Sequence, residues 1–124
     1  MNVPENLKYT NDHEWALVEA DLATIGITEY AAGELGDVVY VELPEMGITA
    51  KKGDSIGTIE AVKTVADIYS PLSGEIIEVN DALNDNSELI NQDPFGEGWI
   101  VKIKLSDSSE LSELLSHEDY KKLI

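Results

Sequence analysis

No cysteine occurs in the 124 residues, which rules out disulfide staples and thiolate metal sites and removes any pointer to an oxidising compartment. Arginine is missing too: the 8 basic residues are all lysines, against 25 acidic ones, for a formal charge of −17. Such a field repels phosphate backbones and anionic lipid, so no nucleic-acid or membrane partner is expected, while basic protein surfaces would dock fast and salt-sensitively. No apolar run approaches a membrane span, and Met1 to Asn6 lacks the charged and apolar regions of a signal peptide; the expected location is cytoplasmic. There is no nucleophile elbow, glycine-rich phosphate loop or metal-ligand spacing, so an independent enzyme is not expected and no metal is assigned. His13 and His117 stand far apart without a cysteine partner and read as a packed or capping residue and a solvated one. No low-complexity linker divides the chain, so residues 1–124 are expected to form one domain, long enough to bury a core.

What the chain does have is an internal repeat. Leu43-Pro44-Glu45-Met46-Gly47 aligns with Ser70-Pro71-Leu72-Ser73-Gly74, and at the same offset of 27 residues Gly53-Asp54 meets Asn80-Asp81 and Ile56 meets Leu83. Lys63, the only basic residue between Lys52 and Lys102, falls at the junction of the two halves. Two β halves related by an approximate two-fold place that junction at an exposed hairpin tip, where one amine is offered to solvent for covalent modification. The matched glycines predict matching backbone conformations that a β-carbon would strain.

The hydrophobic period is mostly two. Segments 15–20 and 23–27 read as a hairpin turning at Asp21-Leu22, and Thr28 can cap a short helix that stops near Gly36. Strands are expected over 38–43, 55–60, 65–69 and 75–79, then a polar stretch over 80–98 with one helical turn around Ala82-Leu83, then a half-exposed strand over 99–105. Ser108 or Ser109 can start a short helix over 110–115, and Ser116 with Asp119 resembles a capping box for a last helix ending at Leu123.

Several motifs, in one order, carry a family resemblance: Tyr9-Thr10-Asn11-Asp12-His13-Glu14-Trp15, Ala23-Thr24-Ile25-Gly26-Ile27-Thr28, the run from Leu35 to Pro44, Glu60-Ala61-Val62-Lys63 and Pro94-Phe95-Gly96-Glu97-Gly98-Trp99. From about Leu7 to Ile124 the chain resembles the glycine cleavage system H protein family. The resemblance implies a mostly β chain with short helices (α+β), a barrel-sandwich hybrid with a lipoyl-type hairpin tip. It implies lipoic acid in amide linkage to Lys63, although Ala61 and Thr64 replace the Ser and Ala usual in the family's tip. It implies a non-catalytic carrier that shuttles the aminomethyl group of glycine from a pyridoxal-phosphate glycine decarboxylase to a folate-dependent aminomethyltransferase, and reducing equivalents to dihydrolipoamide dehydrogenase. A lipoyl ligase or transferase would load it, and a monomer is expected. The hard chemistry belongs to the cofactor, and tethering keeps the cargo at high effective concentration.

Glu14 and Asp67 would on base rates be solvated carboxylates, but they match family positions lining the cleft that receives the loaded arm. There they would hold an ammonium group by charge and hydrogen bonds. Asp12 replaces a Ser often found at its position, and either adds a third negative group or faces solvent. Trp15 and Trp99 read as core or cleft-edge aromatics. Biotin carriers place their target lysine between two methionines, whereas Lys63 lies between Val62 and Thr64; lipoyl domains of 2-oxoacid dehydrogenases show Asp-Lys at the tip and belong to longer chains. The alternative left open is a lipoyl donor in lipoate assembly that takes no part in glycine oxidation.

Overall fold

The computed structural model describes residues 2–124 and is mostly β with short helices. Its strands are β1 (Lys8–Tyr9), β2 (Glu14–Glu19), β3 (Leu22–Ile27), β4 (Val38–Glu42), β5 (Thr49–Ala50), β6 (Ser55–Ala61), β7 (Val65–Tyr69), β8 (Gly74–Val79) and β9 (Val101–Leu105). The α-helices are α1 (Glu29–Leu35), α2 (Ala82–Asp85), α3 (Leu89–Gln92) and α4 (His117–Leu123), with a 3₁₀ helix at Ser108–Glu113. Six strands form one antiparallel sheet in the order β1-β2-β3-β9-β8-β5, and β4-β6-β7 form a second. The two close over a shared core in the barrel-sandwich manner.

Alternation along the strands sends Ile25, Ile76 and Ile103 from the large sheet and Val41, Ile59 and Ile68 from the small one into that core, where each is almost fully buried. Leu83 of α2 and Ile90 of α3 plug it from the side. Each such side chain contributes about 1.5–3 kcal/mol of burial. A second cluster gathers Val3, Leu7, Tyr9, Trp15 and Tyr120 where α4 packs on β1. Gly26 makes room for it. Gly26 pairs with Trp15 across β2 and β3, and a β-carbon there would lie 2.6 Å from the indole ring.

The two-fold suggested by the repeat is present in part. A shift of 27 residues carries the pair Thr49–Glu75 onto Ile76–Ile48, and Ile76 N–H does donate to Ile48 C=O at 2.9 Å. Beyond it the halves part: Asp54 leads into β6, whereas Asp81 leads into α2, so Ile56 is a strand residue and Leu83 a helical one. The glycines part as well, against expectation. Gly47 sits in a turn at φ +90° with open space around it, while Gly74 opens β8 without a positive φ and is pressed against the Lys104 carbonyl of β9.

Elsewhere the elements follow the periodicity with shifted ends. The first hairpin turns at Ala20-Asp21, Ala20 taking φ +56°, so Leu22 belongs to β3. Thr28 caps α1 through its hydroxyl, Gly36 ends it at φ +78°, and Ser116 caps α4. Residues 80–98 hold two helices where one turn was expected. The short helix after β9 is present as a 3₁₀ helix two residues earlier than expected, and its cap is Asp107 rather than Ser108 or Ser109, the carboxylate taking the Ser109 N–H at 3.0 Å. The two-residue strands β1 and β5 are too short for alternation to reveal.

Candidate functional site

The hairpin of β6 and β7 fixes where Lys63 stands. Strand register pairs Ile59 with Ala66 and Glu60 with Val65, and Ala61 N–H donates to Thr64 C=O at 2.8 Å, leaving Val62 and Lys63 as the two residues at the turn. Neither has the positive φ of the usual two-residue hairpin turns. The tip is tied down instead: Val62 N–H donates to the Asp37 carbonyl at 3.1 Å. Asn91 of α3 steadies both neighbours of Asp37, accepting from Val38 N–H at 2.9 Å and donating to Gly36 C=O at 2.8 Å. The Lys63 side chain is exposed on this anchored tip.

Along the hairpin flank lies a cleft of about 330 Å³. Its apolar floor is Ile27, Ile59 and Ala66, and α1 contributes Tyr30, Glu34 and Leu35. Four carboxylates border it: Asp12, Glu14, Glu34 and Asp67. Glu14 and Asp67, 53 positions apart in the chain, are thus brought together. At about 3.3 Å per residue, Asp67 lies roughly 13 Å along β7 from Lys63, within reach of a long extended arm on the lysine.

Glu14 is not a solvated carboxylate. It is 2% exposed, one oxygen accepting from the Thr10 hydroxyl at 2.8 Å and the other from Tyr69 N–H at 3.2 Å. Burial pushes its pKa up to about 7; the two hydrogen bonds pull it down, and the charge of Asp12 adds to the rise. Tyr69 N–H lies on the free edge of β7, so Glu14 also stitches the small sheet to the start of β2. Asp67 is exposed, with the hydroxyls of Ser55 and Tyr69 each at 3.5 Å. Asp12 is exposed as well, on the same cleft.

His13, expected to be packed or capping, is half-buried at the cleft wall with φ +67°, a rare conformation outside glycine. It is held from several sides. Thr28 N–H donates to its carbonyl at 3.0 Å, its Nδ1 lies 2.9 Å from the Tyr120 hydroxyl, and its ring meets Tyr30 at 4.8 Å. The Tyr120 hydroxyl also lies 2.7 Å from Thr28 Oγ1, which caps α1, so the C-terminal helix locks two walls of the cleft. These contacts join residues 107 and 92 positions apart, and no local pattern marks them. His117 is half-buried rather than fully solvated. Trp15 is core, donating from Nε1 to the Pro94 carbonyl at 2.9 Å, while Trp99 is half-buried under Lys102. Among the described residues no His, Asp and Glu cluster could hold a metal ion, and no helix is long and apolar enough to cross a membrane.

The glycine cleavage H-protein family model matches residues 7–124. A glycine cleavage system H protein from Bacteroides thetaiotaomicron is 53% identical over 124 residues, covering 100% of this chain and 98% of the relative. One from Thermus thermophilus is 52% identical, covering 100% and 97%. The crystal structure of a glycine cleavage system H protein from Mycobacterium marinum superposes with a TM-score of 0.88 at 39% identity, covering 96% of each chain.

Proposed function

Because the chain belongs to the glycine cleavage H-protein family, a family of non-catalytic lipoyl carriers, we propose that residues 1–124 act as one carrier unit whose lipoyl group is attached to Lys63. The observation that carries the reading is one exposed lysine on an anchored hairpin tip, above a carboxylate-lined cleft. The fit is chemical. An exposed amine can be acylated, the apolar floor of Ile27, Ile59 and Ala66 suits an aliphatic arm, and the carboxylates of Glu14 and Asp67 suit a cationic end. Such a group supplies a dithiolane that accepts a one-carbon amine fragment together with two electrons and is later reoxidised.

The protein's own residues position and protect. Asp67, Asp12 and ionised Glu14 favour an ammonium over its neutral amine through charge and hydrogen bonds, which strengthen where the cleft excludes water. Keeping that proton in place prevents loss of ammonia and waste of the one-carbon unit, a storage role without catalysis. The partners in this reading are a pyridoxal-phosphate glycine decarboxylase, a folate-dependent aminomethyltransferase, dihydrolipoamide dehydrogenase and the ligase or transferase that loads the lysine. The carrier works as a cytoplasmic monomer.

Peptide mass spectrometry of the protein made in cells with a lipoyl ligase tests the reading, with the modification expected on Lys63. Lipoyl on another lysine, or biotin on Lys63, overturns it. Lys63→Arg should abolish carrier activity and change folding stability by no more than about 0.5 kcal/mol, as at ordinary surface positions.

A further inference from the structure

Apolar side chains surround the lysine. Val62 is 71% exposed and Val65 62%, while Val39 and Tyr40 of β4 are 54% and 52% exposed. They form one group. Tyr40 pairs with Glu60, which pairs with Val65, so the three side chains share a cross-strand row on the outer face of the small sheet. A register shift between Val38 and Tyr40 turns two consecutive β4 side chains outward and brings Val39 beside the tip end of that row. Single exposed apolar residues need no explanation, but four around one exposed amine at a hairpin tip do. The next row on the same face, Glu42–Thr58–Asp67, is flanked by acids, and Glu60 lies inside the collar.

We propose that Val39, Tyr40, Val62 and Val65 form the surface read by the enzyme that acylates Lys63, and that this contact matters little once the arm is attached. The inference rests on the carrier reading above. The occupant follows from reach. An enzyme that forms the amide must bring the lysine amine itself to its reacting centre, one side-chain length from the backbone, so it must cover the collar. Enzymes that act on the far end of the attached arm meet their target away from the tip. The complementary surface is an apolar socket with a basic rim, since the collar is bordered by Glu42, Glu60 and Asp67 and Lys63 is the only cation in the sequence between Lys52 and Lys102. The patch is far smaller than a lasting interface requires, which suits a substrate that must be released.

The neutral ε-amine attacks the carbonyl carbon of an activated acyl group, an acyl adenylate or thioester; the C–N bond forms, the bond to the adenylate oxygen or thiol sulfur breaks with its electron pair, and the displaced amine proton passes to solvent. An apolar socket assists, because desolvating an ammonium favours the neutral nucleophile.

The test uses the full chain with a purified lipoate–protein ligase, lipoate and ATP, following mass gain by intact-mass spectrometry. The Val62→Ser, Val65→Ser double change should lower kcat/KM for loading by about tenfold or more, with an unchanged melting curve. Val62→Ile with Val65→Ile should load like the parent. After loading to completion, the serine variant should support the glycine decarboxylase reaction within about twofold of the parent. Loading of the serine variant at the parental rate, or a decarboxylase rate that falls as far as loading does, overturns the proposal. A parent chain that acquires no lipoyl group on Lys63 sinks the carrier reading itself, and the collar with it.

Discussion

Glu14 is the residue whose burial changes its chemistry. Its carboxyl is pushed from 4.5 to about 7, first by desolvation, so the folded state holds a proton that the unfolded chain has already released between those values. Folding stability must therefore fall as pH rises through that window, by about 3 kcal/mol for a shift of this size. Glu14→Gln removes the titration while keeping an acceptor for Tyr69 N–H. Denaturant unfolding should show the parent losing about 3 kcal/mol relative to this variant as pH rises from 4.5 through 7, levelling off about one unit higher. A pH-independent difference would mean that Glu14 is ionised throughout. The same carboxylate sits with Asp67 on the cleft. In the loaded protein without partner enzymes, Glu14→Gln with Asp67→Asn should speed spontaneous release of ammonia and formaldehyde by roughly tenfold, as expected from losing a charge-assisted contact of about 1.5 kcal/mol. Release at the parental rate would reduce the pair to surface charge.

At the scale of elements, the glycines of the repeat differ in what they permit. Gly47 needs its positive φ but has room, so Gly47→Ala should cost about 1 kcal/mol in conformational strain. Gly74 meets the Lys104 backbone carbonyl and the Ile103 side chain, neither able to retreat without opening the β8–β9 pairing. Gly74→Val should therefore cost about 3 kcal/mol, at the upper end of overpacking, and should slow modification of Lys63 only to the extent that the fold is lost. Urea melts of the two variants check this; equal losses would show that conformation, not close packing, governs both positions. The tip depends on other elements altogether, through Asp37 and the Asn91 clamp.

For the whole molecule, the charge of −17 should govern how the partners of the proposed carrier are met. Docking to basic partner surfaces should slow by about tenfold as ionic strength rises from 0.01 to 0.15 M, because the screening length shrinks from about 30 to 8 Å. Stopped-flow association with the decarboxylase, compared with its turnover at saturating carrier, separates the encounter from the chemistry. An association rate insensitive to salt would mean that apolar contacts alone bring the partners together.

The strands, caps and hairpin tip were legible in the sequence because each is a local matter: alternation decides which face is buried, Thr28 and Ser116 bond amides three residues on, and Lys63 sits between two β-rich runs that pair as β6 and β7. The family resemblance singled out Glu14 and Asp67 by their positions, but a position in sequence carries no solvent exposure. Only the tertiary structure decided that Glu14 is buried and Asp67 open, because desolvation depends on what the chain packs around a group after distant segments meet. It alone showed Tyr120 reaching His13 and Thr28, and Asn91 bracketing Asp37. It also separated the matched glycines, since a repeat in sequence fixes which residues recur, whereas the partner strand laid beside each one fixes the space that a side chain may occupy.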